Sequence, residues 1–160
     1  MADIRNAPKV ERNGHLRVAI VASQFNEAIT DKLVEGARSA LRQYGVPASA
    51  ITTWWVPGAF ELPVAAAAVA RRKPDAVITV GCVLKGQTPQ YAAIGQAVAN
   101  ALAHLSVLAN IPVTFGVIVA DSMAQAKARA GGRKGNRGRE AALAALATIR
   151  LLSRLRHSAR

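Results

Sequence analysis

Four times along this chain a short run of β-branched or small apolar residues gives way to a longer stretch of helical period. That alternation restricts the fold more than any other feature. Arg17-Val-Ala-Ile-Val-Ala22, Ile51 to Val56, Ala76-Val-Ile-Thr-Val80 and Val113 to Val119 read as buried strands. Asn26 to Tyr44 carries apolar residues at Ile29, Leu33, Val34, Ala37, Ala40 and Leu41 and stops at Gly45, which predicts a helix. Phe60 to Arg72 predicts a second, with Pro63 in its first turn, where a missing N–H costs little. Gln90 to Leu108 predicts a third. A short fourth, capped by Asp121 or Ser122, ends near Gly131. After a basic loop over Gly132 to Gly138, a last helix runs to Leu155 with Ala142, Leu146, Ile149 and Leu152 or Ser153 in register.

Strands each followed by a helix favour an α/β sandwich on an all-parallel sheet, because parallel neighbours need crossover helices. Right-handed crossovers then put helices on both faces. There is no internal repeat or linker, so residues 1–160 are expected to form one domain, with an N-terminal arm over 1–14 and a basic tail over 156–160. A chain of this length buries roughly 70% of the surface that its unfolded form exposes.

Composition removes several function classes. No uninterrupted apolar run reaches the roughly 18 residues of a membrane span, and Met1 to Gly14 has no apolar signal core, so a cytoplasmic protein is expected. Cys82 is the only cysteine; it can neither form an intrachain disulfide nor build a zinc site by itself. No metal and no cofactor is implied. The net charge of +12 is concentrated late: ten Lys/Arg lie between Lys127 and Arg160 against one acid, Glu140. Such a field attracts phosphates, nucleic acid or acidic proteins, or it is a solvated helix face and frayed tail. A nucleic-acid role is disfavoured, because the segment lacks the interleaved aromatic residues of a single-strand binder. The third helix is rich in alanine and glycine, which suits a close helix or subunit contact, or reflects biased coding.

In open parallel sheets ligands bind beyond the carboxyl ends of the strands. That rule selects Ser23 to Asn26, Val56 to Glu61, Gly81 to Gln90 and Val119 to Ser122. In the second segment, Gly58 exposes backbone amides and Glu61 accepts hydrogen bonds from hydroxyls, although an acid in a first helical turn is favourable for the dipole alone. Phe25 and Asn26 offer a ring to stack and an amide to hydrogen-bond; Phe25 as ordinary core is the alternative. The loop Gly81-Cys-Val-Leu-Lys-Gly-Gln-Thr-Pro-Gln90 joins Gly86, Lys85 and the Thr88 hydroxyl to a helix N-terminus, which suits a single phosphate. It lacks the spacing of a Walker loop. Of the three histidines, His15 precedes the first strand, His104 lies inside the third helix and His157 in the tail, so none reaches a strand-end loop.

Taken together, these segments resemble the 6,7-dimethyl-8-ribityllumazine synthase family from about Leu16 to Leu155. Val18-Ala-Ile-Val-Ala-Ser-Gln-Phe-Asn26 is similar to the family's opening motif, and Val56-Pro-Gly-Ala-Phe-Glu-Leu-Pro63 to its V-P-G-[SA]-x-E-[IL]-P signature. Gly81 to Pro89 resembles its G-x-V-I-[RK]-G-x-T-x loop. Pro112 to Ile118, Ala128 to Gly131, Gly135 to Gly138 and Glu140 to Ala142 resemble its C-terminal half. The resemblance implies a flavodoxin-like three-layer sandwich with a four-stranded parallel sheet. It also implies condensation of 3,4-dihydroxy-2-butanone 4-phosphate with 5-amino-6-(D-ribitylamino)uracil, in riboflavin biosynthesis.

By position, the resemblance implies that Phe25 stacks on the pyrimidinedione, Asn26 helps to hold the ligand, and the Ala59 amide beside Gly58 binds the ribityl chain with Glu61. Val83, Lys85, Gly86, Gln87 and Thr88 hold the ring edge and the phosphate, and Arg129 is the phosphate's counter-ion. Phe115 comes from a neighbouring subunit of a homopentamer, and Arg137 replaces the lysine of an N-K-G turn. In some members twelve pentamers close into a 60-subunit shell.

The chain departs from the family at its T-x-H-[FY]-[DE] pattern, where it has Thr88-Pro-Gln-Tyr-Ala92. Gln90 occupies the position of the catalytic histidine, and Ala92 that of the acid that would orient it. A glutamine amide hydrogen-bonds but does not titrate near neutrality, and losing such a group typically costs about 10²–10⁴ in rate. Two functions follow: a slow lumazine synthase, or a non-catalytic pentamer or cage on the same fold.

Overall fold

The computed structural model describes residues 16–158. The arm expected over 1–14, His15 and the last two residues of the basic tail lie outside the described residues. Four parallel strands form the sheet: β1 (Val18–Ser23), β2 (Ile51–Val56), β3 (Ala76–Leu84) and β4 (Val113–Ala120), in the order β2-β1-β3-β4. Ile20 lies opposite Thr53 on one side and Ile78 on the other, and Val80 lies opposite Gly116.

Because side chains alternate along a strand, the sheet feeds two cores. Val18, Ile20, Ala22, Ile78, Val80 and Ile118 face α1 (Glu27–Gln43) and α5 (Arg137–Ser158). Ala19, Val21, Val77, Val113 and Val117 face α2 (Leu62–Ala70) and α3 (Gln90–Ala109). The resulting three layers are the α/β sandwich expected from the alternation.

Local sequence accounts for most of the elements. The face read from the α1 sequence is the face that is buried, from Ile29 to Leu41. Gly45, at φ 98°, closes that helix, and the Val46 N–H reaches back to the Leu41 carbonyl. The short helix α4 (Met123–Arg129) starts at Ser122, whose hydroxyl accepts from the Gln125 N–H at 3.2 Å. Helix α5 packs so closely on α1 that a Cβ on Gly138 would run into the Leu33 backbone. Asn136 fixes that junction. Its amide donates to the Lys32 carbonyl at 2.8 Å, while its side-chain oxygen accepts from the Arg139 N–H at 2.9 Å.

Three local expectations are corrected. β3 continues past Val80 to Leu84, so the first four residues of the presumed loop from Gly81 are strand; Cys82, Val83 and Leu84 lie opposite Ile118, Val119 and Ala120 of β4. The segment from Ala59 to Glu61 is a 3-10 turn, and α2 proper begins at Leu62 and ends at Ala70. The basic loop is a small antiparallel ribbon, β5 (Ala130–Gly132) and β6 (Gly135–Asn136), with positive φ at Gly131 and Gly135, and α5 starts at Arg137.

Helix α3 is long and apolar enough to cross a membrane by length and composition. Its ends join β3 and β4, which pair with each other, so it lies along the sheet as a crossover. Only Gly95, Val98 and Leu102 of its 20 residues are buried, and Val107 and Leu108 stand 77% and 70% exposed.

Candidate active site

Beyond the carboxyl ends of β1, β2 and β3 the chain forms a cavity of about 280 Å³. Phe25, Gly58, Ala59, Glu61, Val83, Gly86, Thr88 and Gln90 line it, together with Phe60, Cys82, Leu84, Tyr91 and Ile94. Three strand-end segments read from the sequence therefore meet at one place.

The backbone explains how they meet. The Gln24 N–H donates to the Val56 carbonyl at 2.8 Å and the Phe25 N–H to the Pro57 carbonyl at 3.1 Å, which ties the loop after β1 to the loop after β2. Asn26, held in the left-handed region at φ 60°, donates its side-chain amide to the Cys82 carbonyl at 2.9 Å. Between β1 and β3, a Cβ on Gly81 would sit 2.7 Å from the Ser23 hydroxyl, so close approach of the strand ends requires glycine there.

Phe25 is 71% exposed and Phe60 64%, which decides the alternative for Phe25: it is not core. Such a ring, open to water beside a cavity, offers a face on which a planar group can stack. Glu61 folds back over Gly58, with its Oε2 2.9 Å from where a Cβ would stand. A Cβ on Gly86 would meet nothing within 4 Å, so no neighbour in the chain demands glycine at this position. Helix α3 opens behind that loop with no acid in its first turn and no side-chain cap, leaving N–H groups for an anion. Burial pushes the Cys82 thiol up to about 11, and it therefore stays protonated and unreactive.

Several sequence-read residues fall elsewhere. Asn26 commits one N–H of its side-chain amide to the fold, which leaves the second N–H and the side-chain oxygen for a ligand. Lys85 and Gln87 are exposed on the same loop without lining the cavity. Phe115, Arg129 and Arg137 line a second cavity of about 760 Å³ with Arg133 and Lys134. This one wraps β4, the opposite edge strand from β2, because α4 and the β5–β6 ribbon fold back there. Sequence grouping of Arg129 with the Gly86–Thr88 loop is thus not realised within one chain. Arg137 also donates to the Glu140 carboxylate at 3.1 Å.

The family described as 6,7-dimethyl-8-ribityllumazine synthase matches residues 15–153. The chain belongs to that family. The 6,7-dimethyl-8-ribityllumazine synthase of Aquifex aeolicus is 46% identical over 142 residues, covering 88% of this chain and 92% of the relative. That of Leuconostoc mesenteroides is 38% identical over 141 residues, covering 88% and 90%.

Against the family pattern, the cavity contains no imidazole among the described residues. Gln90, which the sequence resemblance aligns with a histidine, lines it, and Ala92, in the first turn of α3, carries no acid. Sequence reasoning missed Phe60, Cys82, Leu84, Tyr91 and Ile94 as lining residues. Tyr91 stands between Gln90 and Ala92 in the motif that drew attention, and Ile94 follows Gln90 at i+4 on the helix face turned to the cavity. Tyr91 donates its hydroxyl to Asp121 Oδ1 at 3.1 Å, and the Asp121 N–H donates to the Gln125 side-chain oxygen at 3.0 Å.

Proposed function

We propose that this chain condenses 3,4-dihydroxy-2-butanone 4-phosphate with 5-amino-6-(D-ribitylamino)uracil to give 6,7-dimethyl-8-ribityllumazine. The observation that carries this is the convergence of the three family segments on one cavity, with the exposed Phe25 ring on one side and the start of α3 on another. Phe25 stacks on the pyrimidinedione, while Glu61 and the Ala59 amide take the ribityl hydroxyls. Val83, Gly86 and Thr88 hold the ring edge and phosphate, with Lys85 and Gln87 at the rim. Asn26 acts on the ligand through the loop that it fixes.

The phosphate's counter-ion comes from a second copy of the chain. Arg129, Arg137 and Phe115 lie in the cavity along β4 and not in the first, so a neighbouring subunit that sets its β4 cavity against the first would supply them. A ring of subunits therefore completes each site, and the uncovered surface of α3 supports the same conclusion. The ring expected from the family is a pentamer, alone or assembled twelvefold into a shell.

Bringing two substrates together in fixed orientation supplies a large part of the rate, and fixed dipoles stabilise the developing charge. The glutamine at position 90 removes the ordinary proton carrier, so turnover is slow. A turnover assay with both substrates, run alongside native mass, tests the proposal. Product formation by a multiple of the 16.8 kDa chain is expected. A stable monomer, or an assembled protein that binds both substrates without forming product, overturns it.

A further inference from the structure

Three side chains around the first cavity carry a dissociable proton among the described residues: Glu61, Cys82 and Tyr91. The Cys82 thiol is buried on β3, beneath the carbonyl that accepts from Asn26. Glu61 sits across the cavity on the loop after β2, folded over Gly58, where the ribityl hydroxyls are assigned. Tyr91 alone stands on the first turn of α3, next to Gln90 in sequence. It is half-buried, and its hydroxyl points to a carboxylate.

Resting on the reaction proposed above, we infer that Tyr91, held by Asp121, transfers the proton that Gln90 cannot. A phenol hydrogen-bonded to a carboxylate is a two-site carrier. As the phenolic oxygen accepts a proton from the substrate, its own proton passes along the 3.1 Å bond to Asp121, and the reverse transfer returns it. Asp121 is exposed, so the pair exchanges protons with water. Negative charge on the pair lies near the N-terminus of a 20-residue helix with no acid in its first turn, where the helix dipole favours it. The Gln125 side chain fixes the Asp121 backbone, making Asp121 a positioning residue for Tyr91.

The step that needs this carrier is loss of water from the carbinolamine, formed when the amino group of one substrate adds to the carbonyl of the other. With a proton taken by Asp121 from water, Tyr91 gives its own proton to the carbinolamine hydroxyl as that of Asp121 passes to the phenolic oxygen. The C–O bond breaks with departure of water, the nitrogen lone pair forms the C=N bond, and the nitrogen's proton passes to the phenolic oxygen as the phenolic proton moves back to Asp121. Every proton is accounted for, and neither an oxidant nor a further reactant is required.

The test compares Tyr91→Phe and Asp121→Asn in the natural chain, and Tyr91→Phe again in a Gln90→His, Ala92→Asp background. Tyr91→Phe should lower kcat by about tenfold or more, with KM within about twofold and native mass unchanged. Asp121→Asn should lower kcat less, again without moving KM. In the histidine background Tyr91→Phe should change kcat by less than about twofold, because an imidazole then carries the proton. A natural chain that turns over while Tyr91→Phe matches it overturns the role of Tyr91 alone. So does an equal loss in both backgrounds, or a loss confined to KM, since either marks packing rather than proton transfer. Failure of the natural chain itself to form product overturns the parent reaction, and the role of Tyr91 with it.

Discussion

The side-chain amide of Asn26 donates to the main-chain carbonyl of Cys82 at 2.9 Å, so a residue just past β1 is tied to β3 at the floor of the cavity. Asn26 also occupies the left-handed region, which an ordinary side chain enters at a cost of about 1–2 kcal/mol. Asn26→Gly keeps the backbone and loses the bond, and should cost about 1 kcal/mol. Asn26→Ala loses both and should cost about 1 kcal/mol more. Urea unfolding at one fixed protein concentration measures this. Equal stability of the two variants would remove the backbone contribution.

The Cys82 thiol is raised from 9.0 to about 11 by burial, which makes stability pH-dependent on the alkaline side. Below pH 9 the thiol is protonated in both states and contributes no slope. Between pH 9 and 11 the unfolded thiol ionises while the folded one stays neutral. The unfolded state therefore gains, and stability falls by about 2 kcal/mol across that window. Cys82→Ala should lack this loss. A stability difference between the two chains that stays constant from pH 8 to pH 11 would contradict it.

Arg129 and Glu61 line separate cavities of one chain, so each complete site should draw them from different subunits. Arg129→Ala and Glu61→Ala should each be nearly inactive alone. Co-expressed in equal amounts and assembled at random, they should recover about a quarter of the natural activity, the fraction of interfaces that pair two intact halves. Mixed assemblies no more active than either parent would place both residues in a site built within one chain.

Gln90 should limit kcat and leave binding intact, because Phe25, Glu61 and the loop to Thr88 supply the contacts. Gln90→His with Ala92→Asp restores an imidazole and its orienting carboxylate, and should raise kcat by about tenfold or more. A titration limb near pH 6.5 should appear in the rate of the double variant and be absent from that of the natural chain. Steady-state kinetics from pH 5 to 9 settles the point. An assembled double variant no faster than the natural chain would show that position 90 is not the deficit.

Much of this was legible in the sequence, because periodicity is local. The buried face of α1, the bounds of β2, a cap at Asp121 or Ser122 and the parallel layers all follow from side-chain spacing over a few residues. The strand-end rule likewise selects Phe25, Glu61, Thr88 and Gln90, which the fold brings to one cavity. What spacing cannot express is pairing across long separations. β3 runs on to Leu84 because β4, more than thirty residues later, offers hydrogen bonds as far as Ala120. Whether Phe25 is core or open, and whether the Asn26 amide is free or already used, depended on what the folded chain placed beside them. The tertiary structure alone separated Arg129 from the Gly86 loop and joined the Tyr91 hydroxyl to Asp121, thirty residues away in sequence. Charge and hydrogen bonding act through space at a few ångströms, and only the packed sheet sets those distances.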